Sequence, residues 1–270
     1  MEKLGFLSVI HKLIDMPPWE WPEDASEAIR TVLCDKKCSG EDRVLAAELA
    51  GDNAVMDQKM AKHLLSILKS GDESEELRST VATSFGAGLE YACLMDFEEE
   101  DDALPEEMFA EIQKTLRTLF QDTDTPKLIR RRILEGSVRG PMEWHQAAVK
   151  EAYETGDREW QITAVFCMGY LEGFEAHVIE SLASDNQEVF YEAVRAAGNL
   201  ALKDAWPVIE ELLEQKDIDK WLLIAAIQAA ATINPEEASD RLVEFAESDD
   251  EDITDAAEDA LTTAGMAQGE

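Results

Sequence analysis

The chain has 270 residues, 45% of them hydrophobic, and its 59 acidic against 24 basic side chains give a formal net charge of −35. The apolar fraction is enough for a folded core and excludes general disorder. The charge repels nucleic-acid phosphates and anionic membranes, which argues against direct binding to either, and attracts cationic partners; it also serves solubility, or a salty cytoplasm.

From the N-terminus, Lys3 to Met16 sets Leu4, Leu7, Ile10, Leu13 and Ile14 on one helical face. Pro17 and Pro18 stop that helix, and Trp19-Glu20-Trp21-Pro22 follows with an extended backbone imposed by its prolines. Residues 1–22 are expected to be a capping helix and a Pro/Trp linker over the open end of a stack; an exposed apolar helix face is also a docking element. The apolar run is broken by His11-Lys12, is followed by Asp15 and has no small-residue cleavage site, so it is not a signal peptide. Nowhere do eighteen apolar residues run together.

Beyond residue 39 a phrase recurs, in which small and aliphatic residues lead to a small residue before a turn. It reads Ala46-Ala47 to Gly51, Val81-Ala82 to Gly86, Arg132-Ile133 to Gly136, Ala164-Val165 to Gly169, Ala193-Val194 to Gly198, Ala226-Ile227 to Ala231 and Ala260-Leu261 to Gly265. The last four anchors are 29 to 34 residues apart, the period of a stacked two-helix repeat. First helices are expected near 40–51, 73–92, 126–138, 157–171, 186–201, 218–232 and 251–264, and second helices near 55–69, 105–120, 142–154, 173–184, 204–215 and 235–247. Pro105, Pro141, Pro207 and Pro235 suit first turns. Asp157, Asp185 and Asp217, and Asn234 ahead of Glu237, suit caps. Gly169, Gly198 and Gly265 are expected to end their helices in a left-handed turn. The wide interval before Ser137 holds an acidic run absent from the other repeats, expected as a loop insertion over 95–105. A flexible tail is expected over 266–270, and one domain over 1–270.

The stretch from Gly173 to Gly265 includes the run from His177 to Asp185, the run from Tyr191 to Leu200 and the run from Asp204 to Leu213. It resembles HEAT-like repeats of the kind also found in phycobilisome lyases, best over 157–265. It departs from the common form at Tyr191 and Trp221-Leu222, where a polar or basic residue often follows the turn. The resemblance implies an all-α, right-handed α-solenoid of about six to seven two-helix repeats with an N-terminal capping helix. It implies little about activity.

Di-iron hydroxylases of this architecture use His-Glu pairs, whereas His11, His63, His145 and His177 are followed by Lys, Leu, Gln and Val. Cys34 and Cys38 supply half a zinc site without a second half, and a thiol nucleophile there needs a histidine brought by the fold. Cys93 and Cys167 fall in apolar helical stretches, where a free thiol behaves as a small hydrophobe, which points to a reducing cytoplasm. No cofactor motif is present. The expected function is therefore a non-catalytic scaffold that presents a curved acidic face, lined mainly by second helices, to a basic protein or peptide. Candidate contacts are Glu98, Glu99, Glu100, Asp101 and Asp102 in the insertion, Asp249, Asp250, Glu251 and Asp252 near the C-terminus, and Trp19, Trp21 and Trp144 as exposed aromatics. A sharper variant is mimicry of nucleic acid. Lys127, Arg130, Arg131, Arg132 and Arg139 form a basic cluster that suits an anion or acidic peptide, or pairs internally with the acidic insertion. The alternative is an enzyme or subunit resembling phycobilin lyases, with a chromophore near Cys167 and His177. Self-association through the open ends is a third reading.

Overall fold

A computed structural model describes residues 2–95 and 104–268, and every regular element among them is helical. The helices group into two compact units, Met1–His145 and Gln146–Glu270.

In the first unit α1 (Glu2–Leu13) turns back through a short 3₁₀ segment at Pro18–Glu20 into α2 (Ala25–Cys34). Then come α3 (Gly40–Leu49), α4 (Gln58–Lys69), α5 (Glu75–Ser84), α6 (Gly86–Leu94), α7 (Glu106–Gln121) and α8 (Lys127–Ser137). Helix α9 (Glu143–Glu154) begins here and ends in the second unit. Two rows result, with α1, α3, α5 and α8 side by side in one, and α2, α4 and α7 in the other. The second unit continues with α10 (Arg158–Met168), α11 (Glu175–Ser181), α12 (Gln187–Asn199), α13 (Trp206–Glu214), α14 (Lys220–Ile233), α15 (Pro235–Ala246) and α16 (Glu251–Gln268). Here α10, α12, α14 and α16 pack in one row, while α11, α13 and α15 pack mainly against the helices next to them in sequence. Helix α16 reaches past Met266, where a tail is expected, and ends at Gln268.

Helix α2 has no counterpart in the expected elements. Ala25, Ala28, Ile29, Val32 and Leu33 bury its face at helical spacing. Helix α1 therefore opens a full helix pair rather than standing alone as a cap, and its Ile10 and Leu13 are buried against α2 and α3. The single first helix expected over 73–92 is broken at Phe85, whose ring is fully buried.

Helix starts follow local chemistry. Ser39, Asp57, Ser74, Asp157, Asn186 and Asp219 each accept a first-turn amide N–H, worth about 1 kcal/mol apiece. Asn186 and Asp219 take the roles expected of Asp185 and Asp217. Asn234 makes no side-chain cap bond. Pro207 and Pro235 occupy first turns, while Pro105 sits at the cap position of α7.

A further device recurs in the first unit. Arg43 Nε donates to Leu33 O at 2.9 Å, Arg78 Nε to Leu68 O at 2.9 Å, and Arg130 Nε to Phe120 O at 2.7 Å. Each arginine, four residues after a helix cap, closes a late carbonyl of the preceding helix ten residues back, where intrahelical donors run out. In the second unit the same positions, four after Asp157, Asn186 and Asp219, are Gln161, Phe190 and Leu223.

The recurrent glycines act differently from expectation. Gly169 has φ −65°, and Gly198 and Gly265 lie within α12 and α16; among the described residues positive φ occurs at Gly156, Gly173 and Ala201, the last at 48°. Two of the three allow close approach of neighbouring first-row helices. A Cβ on Gly169 would stand 3.0 Å from Ala196 Cα, and one on Gly198 2.8 Å from Ala229 Cα. In the first unit a Cβ on Gly51 would lie 3.1 Å from Ser84 Cα, and one on Gly136 2.2 Å from Ala82 O. Hydroxyls tie the same seams, Ser84 Oγ donating to Ala47 O and Thr232 Oγ1 to Gly198 O. A Cβ on Gly265 would meet nothing within 4 Å.

Opposite signs are therefore expected for two substitutions in urea denaturation. Gly136→Ala should cost about 1–3 kcal/mol through overpacking against backbone. Ala201→Gly should stabilise by roughly 0.5–1 kcal/mol by relieving a left-handed alanine. Equal stability of Gly136→Ala and the parent would remove close approach as the reason for the glycine.

Candidate interaction surface

The charge is concentrated in the second unit, where 29 acidic residues face 7 basic ones. Five of those bases are engaged inside the unit: Lys150 with Glu154, Arg158 with Glu188, Arg195 with Glu192, Lys220 with Asp250 and Asp252, and Arg241 with Glu214. Several of these pairs span one repeat, so they serve as struts between neighbouring repeats. Each adds little stability in water. What remains is an excess of exposed carboxylates, among them Glu180, Glu210, Glu211, Glu236 and Glu244 on α11, α13 and α15.

The C-terminal acids divide into two roles. Asp250 accepts from Lys220 Nζ at 2.8 Å and from the Asp252 amide at 3.1 Å, and Asp252 also pairs with Lys220. That hydrogen bonding holds Asp250 below the usual carboxylate range and raises Lys220. Asp249 and Glu251 stay exposed beside them. Glu98, Glu99, Glu100, Asp101 and Asp102 lie outside the described residues.

Of the three tryptophans expected to be exposed, only Trp19 is, at 83%. Trp21 is half-buried because its Nε1–H donates to Met16 O at 2.9 Å, which folds the ring back onto the core. Trp144 is half-buried against Phe120 and His145, with centroids 5.4 and 3.9 Å away. Trp221 is exposed at 59%, an aromatic that periodicity hid because it sits in the first turn of an otherwise apolar helix.

The basic cluster is not one open patch. Arg131 is buried, Arg130 closes α7 at Phe120 O, Arg132 pairs with Glu135, and Arg139 pairs with Glu90. Only Lys127 among the five is exposed, because α8 lies in the packed row.

Around α1 the link to α2 leaves a cleft of about 750 Å³. Leu13, Ile14, Pro18, Trp21, Leu45 and Leu49 give it apolar walls, and Glu48 and Asp52 its charged rim. A smaller groove of about 350 Å³ on the first row of the second unit is of mixed character, with Arg195, Asn199, Gln228, Thr232, Asp259 and Thr263 among alanines.

The fold supplies a histidine for one thiol. Cys34 Sγ lies 3.5 Å from His63 Nδ1. Burial nevertheless pushes the Cys34 thiol up, despite Arg43 and Arg30 nearby, which is opposite to nucleophile activation. Cys93 is exposed on α6, whereas Cys167 is fully enclosed and presents no surface to a chromophore. His177 packs edge-on to Tyr153 and Phe174, with its buried Nδ1 unpartnered. Among the described residues no three His, Cys, Asp or Glu side chains group to hold a metal ion, and no helix is long and apolar enough to cross a membrane.

His145 is structural. Its Nδ1 accepts the Met142 amide at 2.8 Å, so the proton sits on Nε2, which donates to Ser137 Oγ at 2.9 Å. Burial pulls its pKa down to about 4.

Comparison with known proteins agrees with the repeat reading. Residues 175–262, spanning α11 to α16 up to Thr262, match the family model of HEAT repeats. No curated protein matches the chain. Similar solved structures include Escherichia coli YibA, at 16% identity over 89% of this chain and 82% of that one, TM-score 0.42. Human deoxyhypusine hydroxylase is 14% identical over 91% and 86%, TM-score 0.42. A chain from a structure of Kap95p with RanGDP is 15% identical over 98% of this chain and 45% of that one, TM-score 0.41. At these identities and scores none of the three bears on what this chain does.

His145 yields a pH expectation. Above pH 6.5 the ring is neutral in both folded and unfolded chains; below it only the unfolded chain takes up the proton until about pH 4. Stability should therefore fall by roughly 3 kcal/mol across that window. Denaturation of the parent and His145→Asn at pH 7 and pH 4.5 checks this: the variant should start less stable and lose less. Parallel losses would exclude His145 as the cause.

Proposed function

We propose that this chain is a non-catalytic interaction scaffold that offers an acidic helical surface to a basic protein or peptide. The observation that carries the reading is the charge balance of the second unit, where five of the seven bases are paired inside the unit, three of them in struts between helices, and the exposed helices α11, α13 and α15 keep their carboxylates. Such a surface favours cationic partners through long-range attraction and sets on-rate and specificity more than raw affinity. The HEAT repeats over 175–262 support it, since stacked repeats build extended surfaces. Asp249 and Glu251, exposed and outside the Lys220 pairs, are the acids ahead of and at the start of α16 that meet the partner in this reading, in which residues 1–270 act together as one domain. Four free thiols, Cys34, Cys38, Cys93 and Cys167, support a reducing cytoplasm as its setting.

Immobilised protein should capture a partner from lysate of the source organism at about 50 mM salt and release it at about 500 mM, a range over which the Debye length shrinks severalfold. The Asp249→Lys, Glu251→Lys double variant should lower capture by roughly tenfold. A partner held equally at both salts and by both proteins would overturn the acidic-surface reading.

A further inference from the structure

The cleft beside α1 has features that bulk acidity does not explain. Its floor is Leu13, 1% exposed, and Leu45 and Leu49 of α3 form one wall. Trp21 forms another, pinned by its bond to Met16 O, so that wall is set before any ligand arrives. At the mouth Ile14 is 56% exposed, and Trp19, next to the lining Pro18, is 83% exposed. Two large apolar side chains left in water beside an apolar cleft mark an interaction site more than scattered exposed residues do.

The electrostatics of the cleft select the occupant. No basic side chain lines it. Glu48 and Asp52 are among its lining residues, and of the exposed charges that flank the lining in sequence Asp15 and Glu20 outnumber Lys12. The C-terminus of α3, ending at Leu49 in the wall, adds the partial negative charge of its last carbonyls. Apolar walls beside a net negative charge fit a large apolar side chain flanked by lysine or arginine.

We propose that this cleft is a peptide-docking site on the first unit, which takes an apolar anchor residue from a basic segment of a partner protein. Ile14, Trp21, Leu45 and Leu49 hold the anchor, and Glu48 and Asp52 meet the flanking cations. The proposal rests on the scaffold reading above and places a specific contact in the first unit, apart from the acids of the second. The anchor gives sequence selectivity, because an apolar side chain removed from water contributes where a polar one does not.

The test uses the full chain and a fluorescein-labelled peptide of about seven residues, with one phenylalanine between lysines, followed by anisotropy at about 50 mM salt. Saturable binding is expected. Serine in place of the peptide's phenylalanine should weaken it by roughly tenfold or more. Ile14→Lys, at an exposed position that folding tolerates, should do the same, and Glu48→Gln with Asp52→Asn should weaken it about three- to tenfold. Asp249→Lys with Glu251→Lys should leave peptide binding within about twofold while reducing capture of the natural partner. No binding, or binding indifferent to both the phenylalanine and Ile14→Lys, overturns the cleft and leaves the acidic scaffold standing. Selective peptide binding together with partner capture unchanged by the second-unit variant upholds the cleft and overturns the second-unit surface. Sedimentation of the parent as a dimer that Ile14→Lys dissolves would show that a second copy fills the cleft, and would overturn the partner proposed here.

Discussion

Within each unit the structure depends on how closely helices of the first row approach one another. Where Gly169 meets Ala196, Gly198 meets Ala229 and Gly136 meets the Ala82 carbonyl, a single added carbon would collide with backbone. Dispersion falls off steeply with distance, so backbones this close gain contact that longer side chains would forfeit. Ser84 and Thr232 use the same proximity to bond carbonyls of the neighbouring helix. The second row has no comparable seam in the second unit, which leaves α11, α13 and α15 to carry solvent-facing carboxylates.

The two units solve the turn between repeats with different chemistry. In the first, Arg43, Arg78 and Arg130 each reach back to a carbonyl that the preceding helix cannot satisfy. Arg43 also pairs with Glu73 at 2.6 Å, and the bond it donates holds that carboxyl below its usual range. In the second, the corresponding positions are uncharged, and the pairs one repeat apart, such as Arg158 with Glu188 and Lys220 with Asp250, come from other positions. Bases thus work as internal fasteners in both units. The acids outnumber them and supply the outward field.

Much of the fold was legible because a solenoid repeats short-range signals. Apolar spacing located the helices, and caps such as Asp157 fixed their starts to within a residue or two. Helix α2 was equally legible from Ala25 to Leu33 and was obscured only by the prolines before it. The glycines misled for a physical reason: the same residue serves a left-handed turn and a close contact, and sequence cannot distinguish a φ requirement from a missing neighbour volume. The candidate site was legible only in part. Exposure of Trp19 followed from its place in a linker, whereas burial of Trp144 depends on Phe120 and His145, and that of Arg131 on the row into which α8 packs.

The sequence by itself determined that the chain is helical and repetitive, and that it is strongly acidic, because periodicity, caps and charge are properties of residues and their near neighbours. Tertiary structure decided which of those charges face outward. It pinned Trp21 into the wall of a cleft, set Arg158, Lys220 and Arg241 of the second unit into struts, enclosed Cys167 and left Cys34 beside His63 with its proton retained. Each of these outcomes joins residues between five and about thirty positions apart through a contact whose geometry no local pattern encodes.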